Sequence, residues 1–190
     1  MITKALIGVM FTILTYTIAN LSQYAALFGL VPRLVFTEPH RLLTNMWLHA
    51  GWEHYIFNML FLYVFGDNVE ERLGYLRYLL FYLSAGIVAG FGWVMYAAVS
   101  PDLLDTPAMG ASGAISGIMG AYAVLFPRAR VVVMEKEVPA QAFLALWFLS
   151  QLALAFQITA VAWMAHVAGF VYGVAAGYLV NRLERGEEAA

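Results

Sequence analysis

Long stretches without any charged side chain dominate this sequence. Residues 5–32, 78–100, 106–127 and 138–181 contain no Asp, Glu, Lys or Arg, and about 20 mostly apolar residues are enough for a helix to cross a bilayer. Apolar types make up 63% of the chain and charged residues only 12%, so too few polar side chains remain to cover a water-facing surface. This excludes an ordinary soluble globule and a disordered chain, and it predicts an integral membrane protein.

The same stretches predict six transmembrane helices. Residues 138–181 are twice the length that one helix needs, so we expect two helices joined near Gln157, Ile158 and Thr159. The shorter apolar run 54–66 is followed by polar residues from Asp67 to Arg72, and we interpret it as the core of a further helix whose polar end leaves the membrane. We therefore predict an all-α membrane protein, a six-helix bundle that forms a single domain over residues 1–190.

The distribution of Lys and Arg predicts the orientation of the bundle. If the N-terminus is cytoplasmic, eight of the ten Lys and Arg residues fall on the cytoplasmic side and only Arg33 and Arg41 lie outside. An excess of these residues marks the cytoplasmic side, so both termini are expected there. The net charge of −2 offers no basic face for nucleic acid, and the absence of cysteine excludes a disulfide framework or a thiol nucleophile.

Ionisable and amide side chains at membrane depth are costly and usually functional, and His49, His54 and Asn58 form the first such group. His54 and Asn58 are four residues apart, so they share a face of a helix. On a helix His49 would point about 140° away from His54, which does not match the i,i+4 spacing of zinc ligands, and we expect no metal and no cofactor. The alternative is that both histidines anchor a helix at the headgroups, but this leaves Asn58 unexplained.

The second group is a glycine-rich segment that opens the span 106–127. It reads Gly110-Ala111-Ser112-Gly113 and continues to Ser116 and Gly117. A serine at a helix N-terminus lies where unpaired backbone N–H groups favour developing negative charge, which suits an oxyanion. The alternative is a small-residue packing face, on which serine is also common.

The third group centres on His166, the only His, Asp, Glu, Lys or Arg within residues 138–181. Gly169, Gly173 and Gly177 follow it at +3, +7 and +11, which is one stripe of a helix. Glycines let another helix approach closely, so His166 is expected to face that neighbour and not lipid. The alternative is a buried histidine that only bonds a carbonyl or hydroxyl group.

Close packing of the two small-residue helices would join Ser112 and His166 as nucleophile and base. His54 and Asn58, from another helix, would then supply donors to an oxyanion. Because no Asp or Glu accompanies His166, the pair would be a dyad whose orientation comes from packing. The segment from Glu70 to Gly74 is interpreted as an interfacial charge cluster with a glycine stop, and the alternative is a structural salt link.

These motifs, taken in order along the chain, resemble those of the rhomboid intramembrane serine proteases. The Glu70-x-Arg72-x-Gly74 element matches that family too, and the resemblance covers essentially the whole chain. The three motifs are His49-x4-His54-x3-Asn58 on the second predicted span, Gly110-Ala111-Ser112-Gly113 on the fourth and Ala165-His166-x2-Gly169-x3-Gly173 on the sixth.

The resemblance implies a six-helix fold in which a short fourth helix begins at the base of a water-filled cavity that opens outward. Ser112 would be the nucleophile, and His166 the general base and then acid. The oxyanion hole would consist of His54, Asn58 and the backbone N–H of Ser112. The activity implied is an endopeptidase that cleaves transmembrane helices near the outer leaflet through an acyl-enzyme.

The resemblance also implies roles around this centre. His49 and Gly110 would support the site, and Arg41 lies where the family's first outer loop usually carries an arginine. The fifth helix, with Trp147 and Phe148, would be a gate for substrate. The partners implied are the lipid bilayer and transmembrane substrates with helix-destabilising residues, and the compartment expected is a prokaryotic plasma membrane.

One position departs from the family pattern. Many members carry a tyrosine four residues after the catalytic serine, packed against the histidine ring, whereas this chain has Ser116. We expect Ser116 to bond Ser112 or His166 instead, and we expect the ring of His166 to be held differently and less firmly.

Two other functions are consistent with parts of the pattern. A catalytically silent relative that escorts membrane clients typically lacks the serine or the histidine, and both are present here. A proton channel would use His49, His54 and His166, but the sequence lacks the intramembrane carboxylates usual in proton relays and the inverted repeats of transporters.

Overall fold

A computed structural model describes residues 1–154 and 162–188, the last three without their side chains, so the predicted joint at residues 157–159 lies outside the described residues. The described chain is built mostly of helices, as predicted. They are α1 (Ile2–Thr17), α2 (Leu21–Phe28), α3 (Arg41–Thr44), α4 (Trp52–Leu73), α5 (Tyr75–Ala98), α6 (Ser112–Leu125), α7 (Ala140–Leu154) and α8 (Trp163–Glu188).

A short antiparallel hairpin departs from the all-α prediction. Its strands are β1 (Arg130–Val133) and β2 (Lys136–Pro139), and Val131 is opposite Val138 in the register. The hairpin connects α6 to α7, and its turn residues Met134 and Glu135 both have positive φ, at 48° and 66°.

The helices differ in whether their length and apolar composition would let them cross a membrane alone. Within the described part of the chain, three segments are long and apolar enough by themselves to cross a membrane: Ile2–Phe28, Tyr75–Ala98 and Trp163–Arg185. α4 has 22 residues but carries charged side chains in its last two turns. α6 and α7, with 14 and 15 residues, are shorter than the roughly 20 residues that a hydrocarbon layer requires.

α6 is the central helix, with 11 of its 14 residues buried. A Cβ added to Gly113 or Gly117 would lie 2.5–2.6 Å from alanine Cβ atoms of α5. A Cβ on Gly169 or Gly173 of α8 would collide with the backbone carbonyls of those same two glycines. The predicted glycine stripe of α8 is therefore confirmed as a packing face, and α6 and α8 are in backbone contact.

Glu70 joins α4 to α1. Its side chain is buried, and its two oxygens accept hydrogen bonds from the backbone N–H groups of Ile2 at 2.6 Å and Thr3 at 2.8 Å. The first N–H groups of a helix have no partner within the helix, so Glu70 supplies one from outside.

The preferred prediction of an interfacial charge cluster was wrong for Glu70, which is buried. Arg72 of the same segment pairs with Glu184 of α8, which is the structural salt link that the sequence left open. The predicted glycine stop is confirmed at Gly74, whose φ is +77°.

The segment between α2 and α4 is fastened to the segment that precedes α6. Leu30 and Ala108 exchange two backbone hydrogen bonds of 2.8 and 2.9 Å, and the N–H of Gly110 donates to the carbonyl of Asn45 at 3.0 Å. These contacts fix the backbone two residues before Ser112.

Candidate active site

The first residue of α6 and the first turn of α8 meet at the centre of the site. Ser112 Oγ lies 2.7 Å from His166 Nε2, which is a hydrogen bond. The helices can approach this closely because glycines form their contact. Sequence reasoning expected the two side chains to meet, and the geometry agrees with that expectation. A serine that bonds an imidazole in this way can act as a nucleophile with the imidazole as its base.

Sequence reasoning missed Gln151, which lies on α7. Its side-chain oxygen is 2.7 Å from His166 Nδ1, and the residue is buried. The prediction that packing alone orients His166 was therefore wrong, because a polar partner bonds the second ring nitrogen. The signal in the sequence was slight: a neutral amide inside a long apolar helix, which burial makes costly unless it is hydrogen-bonded.

Gly110 lets the ring of His54 approach the start of α6. A Cβ on Gly110 would lie 2.9 Å from His54 Nε2 and 2.8 Å from its Cε1, and the φ of +129° is itself one that other residues rarely adopt. The backbone N–H of Ala50 donates to His54 Nδ1 at 3.2 Å. The ring proton of neutral His54 is therefore on Nε2, the nitrogen that lies close to Gly110.

Asn58 lies one turn below His54 on α4. It is buried, and its Nδ2 donates to the carbonyl of His54 at 2.7 Å. Both residues line a cavity of about 230 Å³ together with Ser112, Gln151 and His166. The cavity brings the Ser112 hydroxyl, the His166 imidazole and two side chains with N–H donors around one space. A space lined in this way can hold a carbonyl group under attack.

His49 is not on a helix, which corrects the helical-wheel argument applied to it. It lies in the loop before α4, and its ring contacts His54 edge-on at 5.3 Å and Tyr55 at 5.5 Å between centroids. The residue is fully buried. It supports the ring of His54 by packing and does not reach the cavity lining.

In the described part of the chain, neither Ser116 nor Arg41 forms a hydrogen bond to the side chain of Ser112 or His166. Ser116 Oγ donates to the backbone carbonyl of Ser112 at 2.6 Å, which matches one of the two partners expected for it. Arg41 is buried and its Nη1 donates to the carbonyls of Ala26 and Gly29 at 2.8 and 2.9 Å. Arg41 therefore holds the loop and has no direct contact with the dyad.

The two aromatic residues considered for a gate lie on the inner side of α7. The Trp147 ring is 6.1 Å from the His166 ring, and the Phe148 ring is 4.9 Å from the Phe170 ring of α8. Trp147 and Gln151 are one turn apart, so α7 presents both of them to the same histidine.

Comparison with known proteins is consistent with this geometry. A family model described as the Rhomboid domain matches residues 36–183. The chain is 34% identical to RHOMBOID-like protein 2 of Arabidopsis thaliana over 152 residues, which is 79% of this chain and 45% of that protein. It is 29% identical to the mitochondrial Rhomboid protein 1 of Saccharomyces cerevisiae over 139 residues (70% and 40%). It is 42% identical to the Rhomboid protease GluP of Bacillus subtilis over 81 residues (43% and 15%). The chain thus spans less than half the length of each of these relatives.

Proposed function

This chain belongs to the rhomboid family, and from that premise we propose that it is an intramembrane serine endopeptidase that cleaves transmembrane helices near the outer leaflet. The observation that carries the proposal is the 2.7 Å contact between Ser112 Oγ and His166 Nε2. The dyad lines a cavity that Asn58 and His54 share, so a substrate carbonyl has both a nucleophile and hydrogen-bond donors within reach.

The first half of the reaction forms an acyl-enzyme. Ser112 Oγ attacks the peptide carbonyl carbon while His166 Nε2 takes the hydroxyl proton. The resulting oxyanion is held by the side chains of His54 and Asn58 and by the backbone N–H of Ser112. When the tetrahedral intermediate collapses, the C–N bond breaks, and the imidazolium gives its proton to the departing amine.

The second half uses water. His166 takes a proton from a water molecule, the hydroxide attacks the acyl carbon, and Ser112 leaves with the proton returned by His166. No metal or cofactor takes part in this scheme. The water must reach a site among apolar helices, and the cavity supplies the space.

The substrates are transmembrane segments that unwind easily. In a helix the carbonyl groups are engaged in backbone hydrogen bonds, so a scissile bond becomes accessible only where the helix opens. Gly, Ser and Pro near that bond lower helix propensity and favour cleavage. Trp147 and Phe148 of α7 border the route by which such a segment enters from lipid.

The bundle is proposed to cross the membrane six times, with α1, α4, α5, α6, α7 and α8 as spans and residues 1–190 as one domain. The Lys and Arg distribution supports cytoplasmic termini. The compartment proposed is the plasma membrane of a prokaryote, where a six-helix protein with both termini inside opens its active site to the exterior.

The test uses purified protein in liposomes with a fluorophosphonate probe and a transmembrane peptide that carries a Gly-Ser pair. We expect the parent to be labelled and to cleave the peptide, and Ser112→Ala and His166→Ala to lose both activities. Ser84→Ala and His40→Ala are the matched controls. Ser84 lies in α5 and its hydroxyl bonds Phe81 and Tyr172, and His40 is exposed.

Two results would overturn the proposal. One is cleavage that persists in Ser112→Ala. The other is a folded parent that is neither labelled nor active, which would instead favour a client-binding role.

A further inference from the structure

We propose that Gln151 is a positioning residue that holds His166 in the tautomer needed for catalysis, a role that rests on the proposed function. The two ring nitrogens of His166 face different partners, Ser112 Oγ at 2.7 Å and Gln151 Oε1 at 2.7 Å. Nε2 can accept the serine proton only if the ring proton is on Nδ1, and a proton on Nδ1 needs an acceptor. The amide oxygen of Gln151 is that acceptor.

The orientation of the Gln151 amide is set by a short hydrogen-bond chain along α7. The amide nitrogen donates to Ser150 Oγ at 3.1 Å, and Ser150 Oγ donates to the carbonyl of Trp147 at 2.6 Å. Because the nitrogen is engaged by Ser150, the oxygen is the atom turned toward His166. The chain therefore fixes the amide as acceptor and, through it, His166 Nδ1 as donor.

Among the residues that the structure describes, the other neighbours of His166 do not provide this function. Ser116 Oγ donates to the carbonyl of Ser112, and Trp147 contacts the ring only as an aromatic neighbour at 6.1 Å. α7 has no Asp or Glu, and neither has α6. Among the described residues, the titratable side chain that lines the same cavity as His166 is His54 of α4, and when protonated it would carry the same charge as the imidazolium.

A neutral acceptor suits a histidine at this depth. A carboxylate would stabilise the imidazolium strongly but would itself be costly to bury among apolar helices. Glutamine orients the ring without a second ion, and its burial is tolerated because its polar atoms are hydrogen-bonded. α7 thus supplies the support that the serine at position 116 does not give to the ring.

The test compares Gln151→Met, Gln151→Glu and the parent in liposomes. Methionine keeps the length of the side chain but removes the acceptor, so kcat should fall about 10- to 100-fold with KM within about twofold, a part of the 10²–10⁴ that a positioned general base contributes. Gln141→Met is the matched control on the same helix. The amide of Gln141 bonds the carbonyl of Ala123, and this variant should keep the parent rate.

Gln151→Glu tests whether Gln151 orients the ring of His166 or only fills space beside it. It restores an acceptor, so kcat should return to within about fivefold of the parent at a pH where His166 is neutral. Its carboxylate also favours the imidazolium, so the acid limb of the pH–rate profile should move to higher pH, by about one unit. A residue that only filled space would give neither the rescue nor the shifted limb.

The outcomes distinguish this inference from the proposed function. If the parent is labelled and active and Gln151→Met matches it in kcat and pH profile, Gln151 has no positioning role. If Gln151→Glu is as slow as Gln151→Met at every pH, the role is overturned as well. A folded parent that is not labelled overturns the proposed function itself. If Gln151→Met does not fold, the acid limb of Gln151→Glu still decides, because an unshifted limb contradicts the inference.

Discussion

At the scale of a single residue, substitution of Asn58 tests whether its side chain stabilises the transition state. Asn58→Ala removes a side-chain donor from the cavity, and the loss of one oxyanion donor costs about 3–4 kcal/mol in the barrier. We expect kcat for the peptide to fall about 10²- to 10³-fold with little change in KM, measured by steady-state kinetics. Asn68→Ala, at an exposed position of the same helix, should behave as the parent. Equal kcat in Asn58→Ala and parent would remove Asn58 from the oxyanion hole.

The contact between Ser112 and His166 could be predicted because an ionisable side chain at membrane depth usually faces a polar partner or a cavity. Ser112 and His166 each lie in a glycine pattern with helical spacing, and that spacing also predicts which helices touch. Gln151 could not be predicted in the same way. It has no charge and belongs to no motif, and its partner is 15 residues away across a segment whose course the sequence does not reveal. Only the packing of α7 against α8 brings the two together.

At the scale of elements, the contact between α6 and α8 determines whether the site forms. Gly173→Ala places a Cβ against the carbonyl of Gly117, where no space exists, so the helices must separate. We expect the free energy of unfolding in mixed micelles to fall by about 1–3 kcal/mol and fluorophosphonate labelling to slow. Val171→Ala alters an exposed position of the same helix and is the control. An unchanged labelling rate in Gly173→Ala would show that the contact between α6 and α8 does not determine the relative position of Ser112 and His166.

The elements most easily predicted were those with a helical pattern or an uninterrupted apolar run. The hairpin of β1 and β2 was missed for a physical reason. Tight hairpin turns need positive φ, which usually requires Gly, Asn or Asp, but here Met134 and Glu135 adopt it. The local sequence therefore contains no turn signal, and its charges suggest only a polar loop. The burial of Glu70 was also not predicted, because its partners are backbone N–H groups at the start of α1, far from Glu70 along the chain.

At the scale of the whole molecule, the absence of cysteine makes the orientation directly measurable. Asp102→Cys lies at an exposed position between α5 and α6, and Lys136→Cys lies at an exposed position in the hairpin. The Lys and Arg distribution predicts that a membrane-impermeant maleimide labels the first in intact cells and the second only after permeabilisation. The cysteine-free parent is the control. The reverse pattern of labelling would invert the proposed orientation.

The backbone contact between α6 and α8 also bears on how the protein responds to its lipid. Bilayers of different thickness change the tilt of the helices that span them. Helices separated by flexible side chains can tilt individually, whereas two helices whose glycines interlock with carbonyl groups must tilt together. Ser112 and His166 lie one on each, so their separation stays constant as the tilt changes. Under the proposed function, lipid thickness would then affect how substrate is presented and not the distance between Ser112 and His166.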